Sequence, residues 1–509
     1  MVGVMRRTAA LLMVITLFSK VIGFAREISL SYFYGASNIS DAYYIALTIP
    51  DVIFSFIILG IATGFIPMYT KIENKSGVIE SHKFTSNLIN ILTIFSLFLV
   101  IVVEMFSLQL VKIFASGFDE ETMLLASNFT KVTVLGIFFT GIIYILNGFL
   151  QINKNFIVPA LFGFVYNFFI ILSIFLSYKY DLILLSVGSV AALFFQLLLL
   201  LFFTRKNGFK YTLSLDFKNK HVIQMMKLSI PLILGVSVNQ INILINKTLA
   251  SQVAIGGISA LNYADRINSF ILTIIVMSIS TAIYPSLSKA AEEKKIQNFK
   301  RIIFESIGAI NILIIPAATG LMIFSAPIVT LLFGRGAFDA EAISLTSQAL
   351  FFYSIGMLGI GLREILSKAF YSHQDTKTPM MNAVIGVLIN IILSFVFSKY
   401  LGIGGLALAT SISAFVTTGL LFYSLRRKFG SLDSKKAAIS LIKILIASIL
   451  MGGISKFTYS YLILEYNNSI VLLFSMVVAT LIYLTLIYIL KVEEFYTLIN
   501  LIRGKMKRA

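Results

Sequence analysis

Three ionisable residues, Lys20, Arg26 and Glu27, stand inside the apolar stretch LFSKVIGFARE at 17–27. The surrounding apolar run extends from about residue 8 to residue 34, long enough to cross a bilayer. A charged side chain at the centre of such a helix costs about 2.5–3.5 kcal/mol even on the gentlest insertion scale. Three charges within eight residues therefore require a purpose. A helix turns by about 100° per residue. At that step Thr16, Ser19, Lys20, Gly23, Arg26 and Glu27 share one arc of about 120°, while Phe18, Val21, Ile22, Phe24 and Ala25 fill the remainder. The helical rise puts Lys20 roughly 18 Å beyond Thr8, near mid-bilayer, and Arg26 about 9 Å further on. This pattern predicts a wet stripe facing a water-filled cavity. Glu27, seven residues from Lys20 on the same face, is placed to neutralise it, which leaves Arg26 in excess. In low dielectric such cations attract phosphate strongly, Arg as a bidentate fork and Lys as a point charge.

A second constellation lies in ALNYADRINSF at 260–270, where Asp265 and Arg266 enter another apolar run. Lys20, Arg26 and Arg266, with Ser19 and Glu27 beside them, predict a binding site for a phosphate-bearing or otherwise acidic amphiphile. Asp41 opens the second apolar run, where a carboxylate can also cap a helix. Lys247 reads as a snorkelling residue. Glu364 and Arg363 lie about a turn from Lys368 and read as a local charge cluster. Glu104 and Glu305 have no evident partner in sequence.

The elements that must position these residues follow from composition. Of 509 residues, 58% are hydrophobic and 13% charged, against about 25% charged in soluble proteins. The mean hydropathy is +0.93. This is the composition of an all-α polytopic membrane protein. Cysteine is absent and there are three histidines, His82, His221 and His373, in or beside predicted loops. Disulfides and thiolate metal sites are excluded, zinc or haem is not expected, and no cofactor is implied. The net charge of +18 reads as loops facing anionic lipid, with no nucleic-acid partner. The N-terminal MVGVMRRTAALLMVITL lacks a small-x-small cleavage site and runs on past Lys20, so no signal cleavage is expected.

Fourteen apolar spans are predicted between residues 8 and 490, with Pro50, Pro231 and Pro316 as candidate kinks. With the N-terminus inside, 28 basic loop and span-end residues fall on one side and five on the other, which predicts cytoplasmic N- and C-termini. No loop exceeds about 20 residues, so no soluble catalytic domain is expected, and no acidic or histidine cluster suggests an enzyme.

The chain also looks duplicated. FIPMYTK (65–71) ends span two and IYPSLSK (283–289) ends span eight, with Pro67 and Pro285 218 apart. NKNFIVPA (153–160) and DTKTPMMNA (375–383) open spans five and eleven, with Pro159 and Pro379 220 apart. This predicts a six-helix lobe at 1–210, a second at 211–430, and two extra helices with a basic tail at 431–509. Equal orientation of the halves implies a pseudo-twofold axis along the membrane normal and a midplane site between them.

The stretches SKVIGFARE (19–27), SDAYYIAL (40–47), GFIPMY (64–69), ISALNYADRI (258–267), IYPSLSK (283–289), LLFGRGAFD (331–339), KAFYSHQDTKTP (368–379) and GLALATSISA (405–414) resemble the MurJ/MviN family of lipid II flippases. That family belongs to the multidrug/oligosaccharidyl-lipid/polysaccharide exporter superfamily. The resemblance implies a V-shaped, two-lobed transporter working by alternating access. It would move an undecaprenyl-pyrophosphate-linked peptidoglycan precursor to the outer leaflet of the bacterial cytoplasmic membrane. The family's cavity arginines match Lys20 (a basic substitution), Arg26 and Arg266, with acidic matches at Glu27 and Asp41. A further basic pair, common soon after the proline of span two, is absent, because Phe54 and Ser55 stand there. The last two spans would form a groove for the lipid tail. Coupling to Na+ or membrane potential is implied for some members, with Asn239 and Asn390 as candidate cation ligands. Cell-wall synthesis or division proteins are implied partners. A flippase for another polyprenyl-pyrophosphate glycan, of capsule or exopolysaccharide, is the competing expectation.

Overall fold

The structure is a computed structural model that describes residues 2–430 and 434–496. The side chains of 2–10, 13, 228, 231–232, 234–236, 434–435 and 437 are excepted. The side chains of Arg6, Arg7, Pro231 and Lys435, and the basic tail with Arg503, Lys505, Lys507 and Arg508, thus lie outside the described residues.

Among the described residues the regular elements are helices: α1 (Val2–Tyr34), α2 (Asn38–Phe114), α3 (Glu120–Thr133), α4 (Gly136–Ile152), α5 (Ile157–Lys179), α6 (Leu184–Lys206), α7 (Lys220–Val253) and α8 (Gly257–Leu272). A π-helical turn, Thr273–Met277, leads into α9 (Ser278–Glu292), followed by α10 (Ile296–Ile323), α11 (Ser325–Phe333), α12 (Ala340–Tyr371), α13 (Lys377–Phe429), α14 (Ser434–Leu462) and α15 (Asn468–Ile489). Nine helical segments among the described residues are long and apolar enough to cross a membrane, or ten if the bent pair α3–α4 is one span. The chain is a multi-pass helical membrane protein.

Two of those segments are broken. α2 has 77 residues and bends at Gly77 (φ 84°), and α13 has 53 and bends at Gly402 (φ 56°). A straight helix as long as α2 would run about 115 Å, nearly four hydrocarbon thicknesses. The sequence places a loop at 71–83; the structure keeps that stretch helical on both sides of one residue. A Cβ at Gly77 would meet nothing within 4 Å, so the positive φ, not crowding, requires glycine there. The candidate kinks Pro50 and Pro316 lie inside the helices α2 and α10.

The chain forms two compact units, 1–259 with 335–338, and 260–334 with 339–509. This division differs from the repeat-based one at 210/211, and it puts all of α7 in the first unit. The reason is packing along α2. Ser229 Oγ donates to Met225 O at 2.9 Å and sits against Gly60, and Met225 covers Gly64. Thr248 Oγ1 donates to Ile113 O at 2.9 Å, and Gln252 Nε2 to Ser116 Oγ at 2.8 Å. The core of this unit is an apolar cluster including Phe65, Tyr69, Phe84, Phe149 and Leu200. In the second unit α12 and α13 are tied by Ser411 Oγ donating to Phe352 O (2.6 Å) and Thr418 Oγ1 to Gly359 O (2.7 Å). α14 and α15 pack on α10 around Ile312, Ile444, Met451 and Tyr483, and Tyr483 OH donates to Ile312 O at 2.7 Å.

The duplication is visible in the backbone. Left-handed residues recur as the pairs Gly35 and Gly256, Gly77 and Lys294, Lys154 and Gln374, and Gly208 and Gly430. The numbering separates the members of each pair by nearly the same interval as Pro67 from Pro285 and Pro159 from Pro379. Turns that require positive φ are costly for most residues, so a matched series at one offset is evidence of two copies of one chain path.

Candidate functional site

The polar stripe of α1 is divided between two neighbouring helices. Ser19 packs against Gly163 of α5 so closely that a Cβ on the glycine would sit 1.8 Å from Ser19 Oγ, and Gly23 faces Asn167. Further along the same edge, Arg26 Cζ lies 5.8 Å from the centre of the Tyr166 ring, and Tyr34 OH bonds Ser177 Oγ at 2.7 Å. Residues 19, 23, 26 and 34 repeat at helical spacing, so this edge is a helix-packing seam that includes Ser19. The small residues allow close approach of the two backbones.

Glu27 lies on the other edge and is buried. Its carboxylate accepts from Arg26 Nη2 at 2.5 Å and from Tyr44 OH of α2 at 2.6 Å. The expected Lys20–Glu27 pairing is replaced by the Arg26–Glu27 ion pair. Seven residues of helix separate Lys20 and Glu27 by about 10.5 Å along the axis, whereas the flexible Arg26 side chain reaches its immediate neighbour. Lys20 is exposed and makes no ion pair among the described residues. The Arg26 side chain keeps 18% of its surface accessible. A cation over Tyr166 and beside a buried carboxylate is held in a fixed orientation. Lys247 of α7 is half-buried, with Nζ 5.7 Å from the centre of the Tyr44 ring, so it stacks instead of simply snorkelling.

Asp41 does not cap its own helix; Ser37 is the N-cap of α2. The buried Asp41 carboxylate accepts the Ser259 N–H at 2.7 Å and the Ser259 hydroxyl, holding the first turn of α8. This arrangement suits a carboxylate at a helix N-terminus. Arg266 and Asp265 are exposed on α8, while Tyr263, Ala264 and Ile267 on its other face are buried. Asp265 accepts from Ser269 Oγ at 3.3 Å. Asn239 is exposed on α7, and Asn390 is buried on α13 with Nδ2 donating to Thr410 Oγ1 at 3.2 Å. Glu305, expected without a partner, pairs with Arg301 at 2.7 Å, and Glu364 pairs with Lys368 at 3.5 Å.

Phe54 is 1% exposed and packs with Val100, Val103, Val134 and Ile137. Its ring also touches Gly141. An apolar residue fits this site; a guanidinium would be desolvated there. Sequence reasoning missed Tyr44 and Tyr166. Tyr44 lies in SDAYYIAL, but its tie to Glu27 comes from helix packing, which no local pattern encodes.

Comparison with known proteins places these residues in context. A family model described as "Lipid II flippase MurJ" matches residues 30–489. A "Probable lipid II flippase MurJ" of Buchnera aphidicola subsp. Baizongia pistaciae is 30% identical over 447 residues, 86% of this chain and 87% of its own length. One from Thermotoga maritima is 29% identical over 484 residues, covering 94% and 95%. Among solved structures, "Lipid II flippase MurJ, inward closed conformation" superposes with TM-score 0.81 at 30% identity, covering 94% of this chain and 98% of that one. An inward-facing multidrug resistance MATE family transporter of the MOP superfamily, 15% identical, shares the fold with TM-score 0.66 over 82% and 96%. Its low identity limits that likeness to architecture. The chain belongs to the lipid II flippase MurJ family.

Proposed function

We propose that this protein moves lipid II, a polyprenyl-pyrophosphate-linked peptidoglycan precursor, from the inner to the outer leaflet of the bacterial cytoplasmic membrane by alternating access. It acts as a transporter and not as an enzyme. Membership of the family carries the reading, and the chemistry of α1 agrees with it. Lys20 and Arg26 from α1, and Arg266 from α8, are the proposed pyrophosphate contacts. Glu27 and Tyr44 orient Arg26 for this role. Ser19 and Asp41 contribute by fixing α1 against α5 and the start of α8 against α2. A second helix-borne cation would offset the phosphate charge that one arginine leaves unbalanced.

Fourteen crossings fit the described helices if α2 and α13 each cross twice, α3–α4 cross once, and α1 and α7 cross as well. Cytoplasmic termini follow from the basic loops. Coupling to Na+ or to membrane potential, with Asn239 and Asn390 as candidate cation ligands, and association with cell-wall synthesis or division proteins complete the proposal.

The test is depletion of the protein in its own cell, with leaflet-resolved measurement of lipid II. Build-up in the inner leaflet is expected. Unchanged lipid II distribution with loss of a capsule or exopolysaccharide precursor from the outer leaflet would overturn the substrate assignment.

A further inference from the structure

The connection between α6 and α7 is an extended strap, residues 209–216, held against the α2 surface by side chains. Lys210 N–H donates to His82 Nδ1 at 3.4 Å and Thr212 N–H to Ser86 Oγ at 3.1 Å. Asn90 Nδ2 donates to Ser214 O at 2.8 Å. Asn87 bonds both main-chain groups of Asp216, its Oδ1 accepting the N–H at 2.6 Å and its Nδ2 donating to the carbonyl at 3.0 Å. His82, Ser86, Asn87 and Asn90 share one helix face and replace a partner strand. Both ends are anchored. Phe209 is buried among Phe149 and His82, and Asn219 caps α7 through the N–H groups of His221 and Val222.

The even-numbered main-chain groups from Lys210 to Asp216 are bonded to α2, which fixes the register of the strap, and Tyr211 OH adds a bond to Asn90 Oδ1 at 2.7 Å. Beyond it Leu213 (92%), Leu215 (52%) and Phe217 (57%) form an apolar, exposed row. Exposed Arg205, Lys206, Lys210, Lys218 and Lys220 flank the row, with Asp216 the one acid between them in sequence. The strap bonds α2 between residues 82 and 90, about 12 Å of helix where that helix enters its second apolar run. An apolar run of membrane-span length resumes at about residue 84, so the strap falls at the predicted membrane boundary. An apolar row rimmed by cations at that boundary has the chemistry of a membrane-interface anchor.

We propose that the 209–217 strap is a lipid-docking surface whose apolar row enters the leaflet on its side and whose lysines hold anionic headgroups. It is a site on the first unit, separate from the charged residues of α1, and its test does not depend on cargo transport.

The chain contains neither tryptophan nor cysteine, so Leu213→Trp introduces a single tryptophan emitter. The full-length variant is reconstituted in phosphatidylcholine vesicles with and without phosphatidylglycerol, using acyl chains brominated near the headgroup. The expected result is blue-shifted emission quenched by the brominated lipid, with quenching greater when phosphatidylglycerol is present. A Lys206→Gln/Lys210→Gln/Lys218→Gln variant should lose most of that increment. Asn87→Ala, which frees the strap, should reduce the quenching while leaving the helical circular dichroism unchanged. Water-like emission without quenching overturns the proposal, as does quenching indifferent to phosphatidylglycerol. Shielding that rises with protein-to-lipid ratio in unbrominated vesicles would assign the row to a second copy and overturn it as well.

Discussion

Arg26 is the residue on which the chemistry of α1 turns. It is fixed by Glu27, by the face of Tyr166 and, through Glu27, by the hydroxyl of Tyr44. Arg26→Ala in a sole-copy complementation assay is expected to abolish growth with normal membrane insertion. Arg26→Lys should restore part of it, because an ammonium keeps the charge and loses the fork. Tyr44→Phe removes a hydrogen bond to a buried carboxylate, worth about 1.5–3 kcal/mol. It should lower thermal stability in detergent and weaken complementation less than Arg26→Ala does. A Tyr44→Phe protein with unaltered melting would remove Tyr44 from the positioning network. Phe54→Arg places a guanidinium among valines and an isoleucine, and is expected to reduce the yield of folded protein on size-exclusion chromatography.

Helix packing and turns set the next scale. Gly256 joins α7 to α8 with φ 74°, and a Cβ there would sit 2.2 Å from the Ala36 carbonyl oxygen. Gly256→Ala must therefore displace backbone as well as bear a left-handed φ. A loss of more than about 1 kcal/mol is expected, read as a lower melting temperature. Between α12 and α13, His373 packs between Phe299 and Phe429, with centroids 4.5 and 4.6 Å away. Burial there pushes its pKa down, with the nearby Lys428 adding to the shift. Burial alone would raise the Asp375 pKa, but the Lys428 ammonium and the Thr378 N–H and hydroxyl hold its carboxyl below the usual range. For both groups the unfolded chain binds more protons, so stability falls as pH falls. The histidine part is lost below about pH 6.5 and the aspartate part below about pH 4. His373→Phe should flatten the first step of a melting-temperature-versus-pH curve, and Asp375→Asn the second.

For the molecule as a whole, membrane character and two-fold repetition were both legible in the sequence. The proline pairs 67/285 and 159/379 anticipated the recurrence of left-handed turns at the same interval. The helical breaks were less legible. Gly77 sits in a polar stretch that reads as a loop, yet α2 is helical on either side of it and turns at that one residue, whose left-handed φ glycine takes without steric cost. The assignment of α7 to the first unit was not legible either, since it rests on residues far apart along the chain, such as Gly60 and Ser229.

Composition and local spacing were enough for insertion in a membrane, the polar arc of α1 and the duplicated chain path. Hydropathy, the helical step and matched prolines are properties of residues read along the chain. Folding alone settled which charges are free and which are spoken for. Glu27 belongs to Arg26 and Tyr44, Asp41 to Ser259, and Ser19 to a seam with Gly163. Each partner but Arg26 comes from a different helix, and buried charge seeks whichever donor packing brings within hydrogen-bond reach.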